Sequence, residues 1–318
     1  MDYQKLLDSS EDWLKYAIQI NLLHQSKDDL AELRKAALTD YRIRNYLDDI
    51  VNYHSTLINN HKNPELPINK LLFLLDIGFD MDVPEIKTAI DMILKHQDNN
   101  GVYQSLVNIP KHFGGMGEDM FSWCLCDAPR LLLALLKAGL DYEKYIKPGA
   151  DYLASLCRDN GFPCAASPEL GKFRGPGKKE DCCPYATLIV ADLFSYIPEY
   201  KNSPVTKTAV SALLSLWENS LEKHPYLFYM GTDFRKLKAP SCWYDIVSVS
   251  GVLSKFKFAQ KDPRFIEMIA LIKNKQDSNG FFTPESIYQK LKGWDFGQKK
   301  VPSPYLTYLC LCIFERLQ

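Results

Sequence analysis

The chain has 318 residues, 46% of them hydrophobic, and a formal net charge of -1 at pH 7. A chain of this length can bury a large core, and its balanced charge gives no electrostatic reason to expect nucleic acid as a partner. No run approaches the roughly 20 apolar residues that a membrane span requires, and the first residues lack the apolar region of a signal peptide.

The first 66 residues contain helical patterns but no repeat. Trp13 and Ile18 belong to one apolar stripe, and Tyr46, Leu47 and Ile50 belong to another. Such spacing is typical of amphipathic helices. We expect this segment to complete or cap the structure that residues 67–318 build.

From residue 67 onward, a helix that begins at proline and ends at glycine recurs along the chain. The closing glycines are Gly101, Gly161 and Gly280, which stand 60 and then 119 residues apart, or about one and two periods. The opening prolines are Pro84, Pro204 and Pro263. Proline fits the first helical turn and glycine the left-handed residue after the last one, so each unit has a defined start and stop.

A second set of helices precedes these amphipathic ones and is apolar on nearly every side. These segments are 71–75, 131–136, 186–194, 246–253 and 305–314. Helices without a polar face are surrounded by other helices, whereas amphipathic helices lie outside. A period of about 60 residues carried by helix pairs predicts an all-α fold, an α/α toroid of about five or six hairpins forming one domain. Leu131, Ala186, Val249 and Leu309 should lie on inner helices, and Ile90, Leu214 and Ile269 on outer ones.

Two of the helix ends carry a longer shared motif. Gln97-x3-Gly101-x-Tyr103 and Gln276-x3-Gly280-x-Phe282 resemble the Gln-x3-Gly-x-Trp repeat of squalene and oxidosqualene cyclases, shared in weaker form by protein prenyltransferase β-subunits. The chain as a whole also resembles a family of bacterial and archaeal proteins with prenyltransferase and squalene oxidase repeats. The resemblance implies a toroid with a central cavity for an isoprenoid or another lipid-like molecule.

The sequence departs from those families at their reactive groups. Squalene-hopene type cyclases use an Asp-x-Asp-Asp acid, and the sequence has no such run. Prenyltransferase β-subunits bind Zn²⁺ through Asp-x-Cys, here Asp181 and Cys183 after a basic loop with Arg174 and Lys178, but positions 305–307 lack the later His. Because catalytic zinc typically keeps three protein ligands, we predict no cofactor and no ordinary zinc site.

Three cysteines occupy the same point of successive repeats. Cys126, Cys183 and Cys242 are 57 and 59 residues apart, each at the entrance to an inner helix. They could converge as a soft-metal or thiolate site, or they could pack as small apolar residues, which is the reading we favour. The nine cysteines are an odd number without small-domain disulfide spacing, so we expect reduced thiols in a cytoplasmic protein.

Four long segments, 108–119, 167–183, 224–238 and 292–300, precede inner helices and should share one mouth of the toroid. Aromatic, cationic and amide side chains alternate there, and we assign them to ligand binding. They are Trp123, Arg174, Lys178, Tyr226, Arg235, Lys236, Lys238, Trp243, Tyr244, Trp294, Gln298 and Lys299. A pocket of this composition suits a ligand with an apolar body and an anionic head, although the charges could also be solvated and the aromatic residues could seal loops onto the ring.

Groups that could transfer a proton lie in or near the same segments. His112 is the leading candidate for a general base because a histidine titrates near neutral pH, and carboxylates or a phenol could assist it. The other candidates are Glu118, Asp119, Asp181, Tyr229 and Asp233.

Three functions remain open from the sequence. The first is an enzyme that acts on an isoprenoid or other lipid-like anion, and the second is a binding module without catalysis. The third is a lyase on uronic-acid sugars, in which Arg and Lys neutralise a carboxylate and Tyr or His moves a proton. In each case the expected partner is a small molecule rather than nucleic acid or a membrane span, and the sequence leaves the oligomeric state open.

Overall fold

The structure is a computed structural model that describes residues 3–172, 179–220 and 234–318. These residues form fourteen α-helices and one two-stranded sheet. The helices are α1 (Tyr3–Asp8), α2 (Asp12–Asn21), α3 (Ala31–Thr39), α4 (Tyr41–Ile50), α5 (Pro67–Asp76), α6 (Pro84–Ile93), α7 (Ala128–Lys137), α8 (Lys147–Ser155), α9 (Pro184–Ser195), α10 (Pro198–Lys201), α11 (Pro204–Glu218), α12 (Ile246–Leu253), α13 (Pro263–Lys273) and α14 (Pro304–Glu315). Strands β1 (Ser105–Val107) and β2 (Met120–Ser122) pair antiparallel, with Ser105 opposite Ser122. No helix in these ranges combines the length and apolar character that crossing a bilayer requires.

The inner ring consists of helices whose residues are buried almost all round. Every residue of α9 except Asp192 is buried, and α12 and α14 are nearly as enclosed. Helix α5 packs against α7, α7 against α9, α9 against α12, and α12 against α14. These helices are apolar on all sides because a neighbour or the central space covers each face.

Helix α2 closes the ring between its first and last repeat helices. The side-chain amide of Asn21 donates one hydrogen bond to the hydroxyl of Tyr308 on α14 at 2.9 Å and another to the carbonyl oxygen of Asp76 on α5 at 3.0 Å. The aromatic rings of Trp13, Phe73 and Tyr305 meet at the same junction. The N-terminal segment therefore completes the ring, one of the two roles expected for it.

The outer helices bury only one stripe. In α13 the buried residues are Phe265, Met268, Ile269 and Ile272, at helical spacing. Helix α11 packs on α9, and α13 packs on both α11 and α12. The predicted α/α toroid is confirmed, since the residues assigned to inner helices lie on α7, α9, α12 and α14 and those assigned to outer helices lie on α6, α11 and α13.

The shared motif of the repeats is a hydrogen-bonded turn. The Gln97 side chain donates to the carbonyl of Gly101 at 3.0 Å, and Gln276 donates to the carbonyl of Gly280 at 2.7 Å. In the latter repeat, Phe282 N–H donates to Thr307 Oγ1 on the next inner helix at 3.0 Å. Phe162 N–H binds Thr187 in the same way, also at 3.0 Å, so the degenerate copy keeps the link to the ring. The motif thus fixes the return from outer to inner helix.

We predict that Gly101→Ala destabilises the protein more than Gly139→Ala. Both glycines are left-handed, with φ of +80° and +81°. An alanine Cβ at 101 would lie 2.6 Å from Pro148 Cβ and 2.9 Å from Gly149 N, whereas nothing lies within 4 Å at 139. The φ strain should lower the free energy of unfolding by about 1–2 kcal/mol in both variants, and the overlap by about 1–3 kcal/mol more in Gly101→Ala.

Urea unfolding of the two variants measures this difference, with Gly139→Ala as the matched control. Equal losses would mean that the contact between this turn and α8 relaxes freely, contrary to the packing argument.

Candidate functional site

The centre of the ring holds a cavity of about 360 Å³. Its wall comes from α2, α5, α7, α9, α12 and α14, together with the segments before α5 and α12. Lining residues occur near the starts of inner helices, such as Asn69 and Tyr305, and at their ends, such as Asp76 and Lys255. The cavity therefore runs along the inner helices, whose 10 residues in α5 correspond to about 15 Å.

The middle of the cavity is apolar. It is lined by Leu72, Phe73, Leu133, Val247, Val252 and Leu309, with the thiol of Cys242 nearer the start of α12. Burial raises the pKa of the Cys242 thiol to about 11, so it stays protonated near neutral pH. This part of the wall offers contact to a hydrocarbon body and few hydrogen bonds.

The carboxyl ends of the inner helices bear a ring of charged groups around one tyrosine. The Lys137 ammonium pairs with Asp76, and Lys255 pairs with Asp192 at 2.5 Å. Both ammonium groups also reach the Tyr196 hydroxyl, at 3.0 Å and 3.1 Å. Cations are favoured there because the helix dipole places partial negative charge at a helix carboxyl end.

Arg130 is the buried cation of the cavity wall. It lies on the first turn of α7, is 9% exposed, and lines the cavity. Its guanidinium hydrogen-bonds to Tyr185, whose hydroxyl donates to the Cys242 carbonyl at 3.4 Å. Its Nε is buried and has no hydrogen-bond partner among the residues that the structure describes. A buried donor without a partner is costly in free energy, so this position is suited to an anionic group of a ligand.

The residues predicted from the sequence for binding and catalysis are dispersed. Of those in the described ranges, Cys242 lines the cavity. Arg174, Lys178, Tyr226, Tyr229 and Asp233 lie outside the described residues. The proposed proton-transfer group His112, Glu118 and Asp119 is exposed on the segment between β1 and β2, and Asn108 binds Asp119 at 2.7 Å.

Several predicted binding residues support the fold where they lie. Trp123 is 2% exposed and donates to Asp98 at 3.0 Å, which ties β2 to the first repeat turn. Gln298 donates to the carbonyls of Asp295 and Val301, and Lys299 beside it is exposed.

Other predicted cations and aromatic residues pair with each other. The Arg235 guanidinium lies 4.3 Å from the ring centroid of Trp217 on outer helix α11, with Lys236 next in the chain. The Lys238 ammonium lies 3.5 Å from the ring centroid of Tyr288.

The remaining aromatic residues surround the other end of the ring. Trp243 stacks on Tyr185 with centroids 4.1 Å apart, and Tyr244 stacks on Phe234 at 5.1 Å. Trp294 packs 5.2 Å from Phe73, directly behind the cavity wall.

Sequence reasoning missed the charged ring, although a signal was present. Lys137 and Tyr196 are 59 residues apart, and so are Tyr196 and Lys255. This is the period that relates the cysteines, displaced by one helix length to the carboxyl ends. Applying the repeat rule to every titratable residue would have found these three.

The cysteine set is only partly brought together. Cys126 and Cys183 both hydrogen-bond to Cys164, which the repeat pattern had not included, while Cys242 lies apart on the cavity wall. Asp181 precedes Cys182 and raises the pKa of that thiol, after the larger effect of burial. Among the residues described, no three His, Cys, Asp or Glu side chains are arranged so that they could hold a metal ion.

The thiol cluster of Cys126, Cys164 and Cys183 favours one thiolate. Hydrogen bonds from Cys126 and Cys183 hold the pKa of the Cys164 thiol well below its ordinary value; burial opposes them and nearby His61 assists. His61 in turn lies 3.6 Å from the buried carboxylate of Asp127. A partly exposed thiolate of this kind is a nucleophile at neutral pH.

Fold and cavity together define the class of this protein, an α/α toroid with an internal cavity. Neither a family model nor a curated protein matches the chain by sequence. Among solved structures, a variant of UGL, an unsaturated glucuronyl hydrolase, with dGlcA-Glc-Rha-Glc is similar with a TM-score of 0.50 and 13% identity. The match covers 95% of this chain and 85% of that one. At this identity the likeness shows the fold alone.

Two further solved structures are more distantly similar. A protein from Actinoplanes has a TM-score of 0.41 and 11% identity, covering 97% of this chain and 90% of its own. The type II terpene cyclase MstE from Scytonema has a TM-score of 0.42 and 10% identity, covering 95% of this chain and 87% of its own.

We predict that iodoacetamide alkylates Cys164 before the other thiols at about pH 6, because only a thiolate reacts. The rate at Cys164 should change little as the pH rises to 8, whereas the rate at Cys157 should rise about tenfold per pH unit. Cys157 is a matched control because it is also partly exposed but its pKa is raised, by burial and then by Asp159.

Peptide mass spectrometry after short alkylation pulses gives both rates. Cys183→Ala should remove one hydrogen bond from the thiolate and slow Cys164 at the lower pH. If Cys164 follows the pH dependence of Cys157, the cluster stabilises no thiolate.

Proposed function

We propose that the central cavity binds a compact amphipathic molecule with one anionic group, such as a carboxylate or phosphate, and that the protein acts on it there. The observation that carries this proposal is Arg130, a guanidinium 9% exposed on the wall of an otherwise apolar cavity, with Nε unpartnered among the described residues. Removing a cation from water is costly unless a partner compensates it. An anionic ligand would supply that partner.

The apolar middle of the cavity supports a hydrocarbon body for this ligand. Leu72, Phe73, Leu133 and Leu309 come from three different inner helices and face the same space. The volume of about 360 Å³ is at the low end of the range of about 300–1,000 Å³ typical of small-molecule pockets. A short isoprenoid or another lipid-like anion fits this combination of size and polarity.

A uronic-acid sugar fits the same cavity less well. Sugar hydroxyls need several hydrogen-bond partners along the whole ligand, and the middle of the wall is built from Leu, Val and Phe side chains. The saccharide in the UGL structure belongs to that protein, and a shared fold does not transfer a ligand. We therefore favour the lipid-like anion, with sugar binding as the competing outcome of the test.

We predict that the protein binds decanoate and that Arg130→Met weakens this binding about 10- to 100-fold. A charge-assisted hydrogen bond contributes about 1.5–3 kcal/mol, and about 1.4 kcal/mol corresponds to tenfold in Kd. Decan-1-ol has the same chain without the charge, so its affinity should not fall. Isothermal titration calorimetry measures both ligands.

Two controls separate this result from a loss of structure. Lys207→Gln removes a cation from the exposed face of α11 and should leave decanoate binding unchanged. Arg130→Met should keep or raise the melting temperature, since an apolar replacement of a buried ionic group is often neutral or stabilising. If wild type binds glucuronate but not decanoate, or if the variant loses decan-1-ol equally, the proposal is wrong.

A further inference from the structure

Three side chains from successive repeats form one polar cluster at the carboxyl end of the inner ring. Lys137 ends α7, Tyr196 follows α9, and Lys255 follows α12, at intervals of 59 residues. The phenol oxygen of Tyr196 lies 3.0 Å from Lys137 Nζ and 3.1 Å from Lys255 Nζ. A phenol has a single proton, so two ammonium donors directed at its oxygen favour the deprotonated form.

The charges around this phenol come from every inner helix that packs near it. Arg130 and Lys137 lie on α7, Asp192 on α9, Lys255 after α12, Asp76 on α5 and Arg316 after α14. Burial alone would raise the pKa of the Tyr196 phenol, but Lys255 and Lys137 outweigh burial and hold it below its ordinary value of 10.0.

The two lysines remain cationic in this arrangement. Burial opposes their charged form, but Asp76 and Tyr196 raise the pKa of Lys137, and Asp192 and Tyr196 raise that of Lys255. The phenolate form of Tyr196 therefore keeps both hydrogen-bond donors over the pH range in which it ionises.

Tyr196 is also open to the cavity. It lines the central space and is 40% exposed, while Lys137 and Lys255 have side chains only 17% and 16% exposed. The ammonium groups lie 4.6 Å and 4.2 Å from its ring centroid. The two lysines are held by buried ion pairs, and the phenol between them is the group that a bound molecule can reach.

We propose that Tyr196 is a catalytic general base that removes a proton from a carbon acid bound in the central cavity, with Lys137 and Lys255 holding its phenolate. The proposal rests on the proposed function, since the cavity must hold the substrate. It narrows the substrate to a molecule with a C–H bond next to a carbonyl or carboxyl group.

The step needs no oxidant or other co-reactant. The C–H bond breaks, the proton forms an O–H bond with Tyr196, and the electron pair of the carbon delocalises onto the adjacent carbonyl oxygen. The two ammonium groups stabilise that developing negative charge. The proton then returns to the substrate at another carbon, which isomerises it, or passes to water if a leaving group departs with the electron pair.

The neutral carbon acid 5-nitrobenzisoxazole tests this base without the natural substrate. A base takes the ring C–H proton, the N–O bond breaks with its electrons going to oxygen, and the coloured cyanonitrophenolate forms. Because a positioned base contributes about 10²–10⁴-fold, we expect Tyr196→Phe to lower kcat/KM at least about 100-fold. Tyr41→Phe, at a tyrosine 64% exposed and remote from the cavity, should leave kcat/KM unchanged.

The pH profile distinguishes a catalytic base from a structural tyrosine. Wild type should show an apparent pKa below 10, and Lys137→Met should shift it upward. The ultraviolet tyrosinate band of wild type minus Tyr196→Phe should titrate at the same pH. Turnover that is unchanged in Tyr196→Phe, or a pH profile that Lys137→Met does not shift, would overturn the assignment.

Decanoate binding measured on the same samples separates the two proposals. If wild type binds decanoate but its benzisoxazole turnover does not depend on Tyr196, the base is wrong and the ligand class stands. If wild type binds no decanoate, the proposed function has failed.

Discussion

The hydrogen bond from Gln97 to the carbonyl of Gly101, repeated between Gln276 and Gly280, determines how the chain returns from an outer helix to the inner ring. It holds the left-handed glycine in a fixed turn, and the next backbone N–H groups then meet Asp98 or Asp277. Because these turns keep the period near 60 residues, equivalent positions of successive inner helices face one axis. The contacts of Tyr196 with two lysines 59 residues away on either side follow directly from that period.

The two ends of the inner helices have different chemistry for an electrostatic reason. At the carboxyl ends, Lys137 and Lys255 meet the partial negative charge of the helix dipoles and the carboxylates of Asp76 and Asp192. At the amino ends, the thiol of Cys183 accepts a hydrogen bond from the backbone N–H of Ala186 at 3.5 Å, and a thiolate nearby benefits from the opposite end of the dipole. Arg130 is the exception, a cation near a helix amino end, and this position makes its burial without a full set of partners the more informative.

The fold could be predicted from the sequence because its signals are local. Pro263 and Gly280 delimit an outer helix and its turn by their own backbone preferences, whatever surrounds them. The role of Asn21 could not be predicted, since its partners on α5 and α14 are distant in the chain.

The site was less predictable because its residues are inconspicuous in the sequence. The search followed long segments rich in aromatic residues and cations, whereas Lys137 and Lys255 end ordinary helices beside short turns. Arg130 resembles a solvated charge until its burial is known. Trp123 and Gln298 looked like binding residues because polar and aromatic groups also serve turns and junctions.

Closure of the ring by α2 also determines when the cavity can exist. Open repeat arrays fold by adding units to a neighbour, so a partial array already has most of its surface. Here the bond between Asn21 and Tyr308 spans 287 residues, and the bond between Tyr3 and Glu315 spans 312. Contacts of such separation are slow to form because a long loop must close first. A chain emerging from the ribosome therefore has no enclosed cavity until α14 has been made, and ligand binding reports the completed ring rather than any of its repeats.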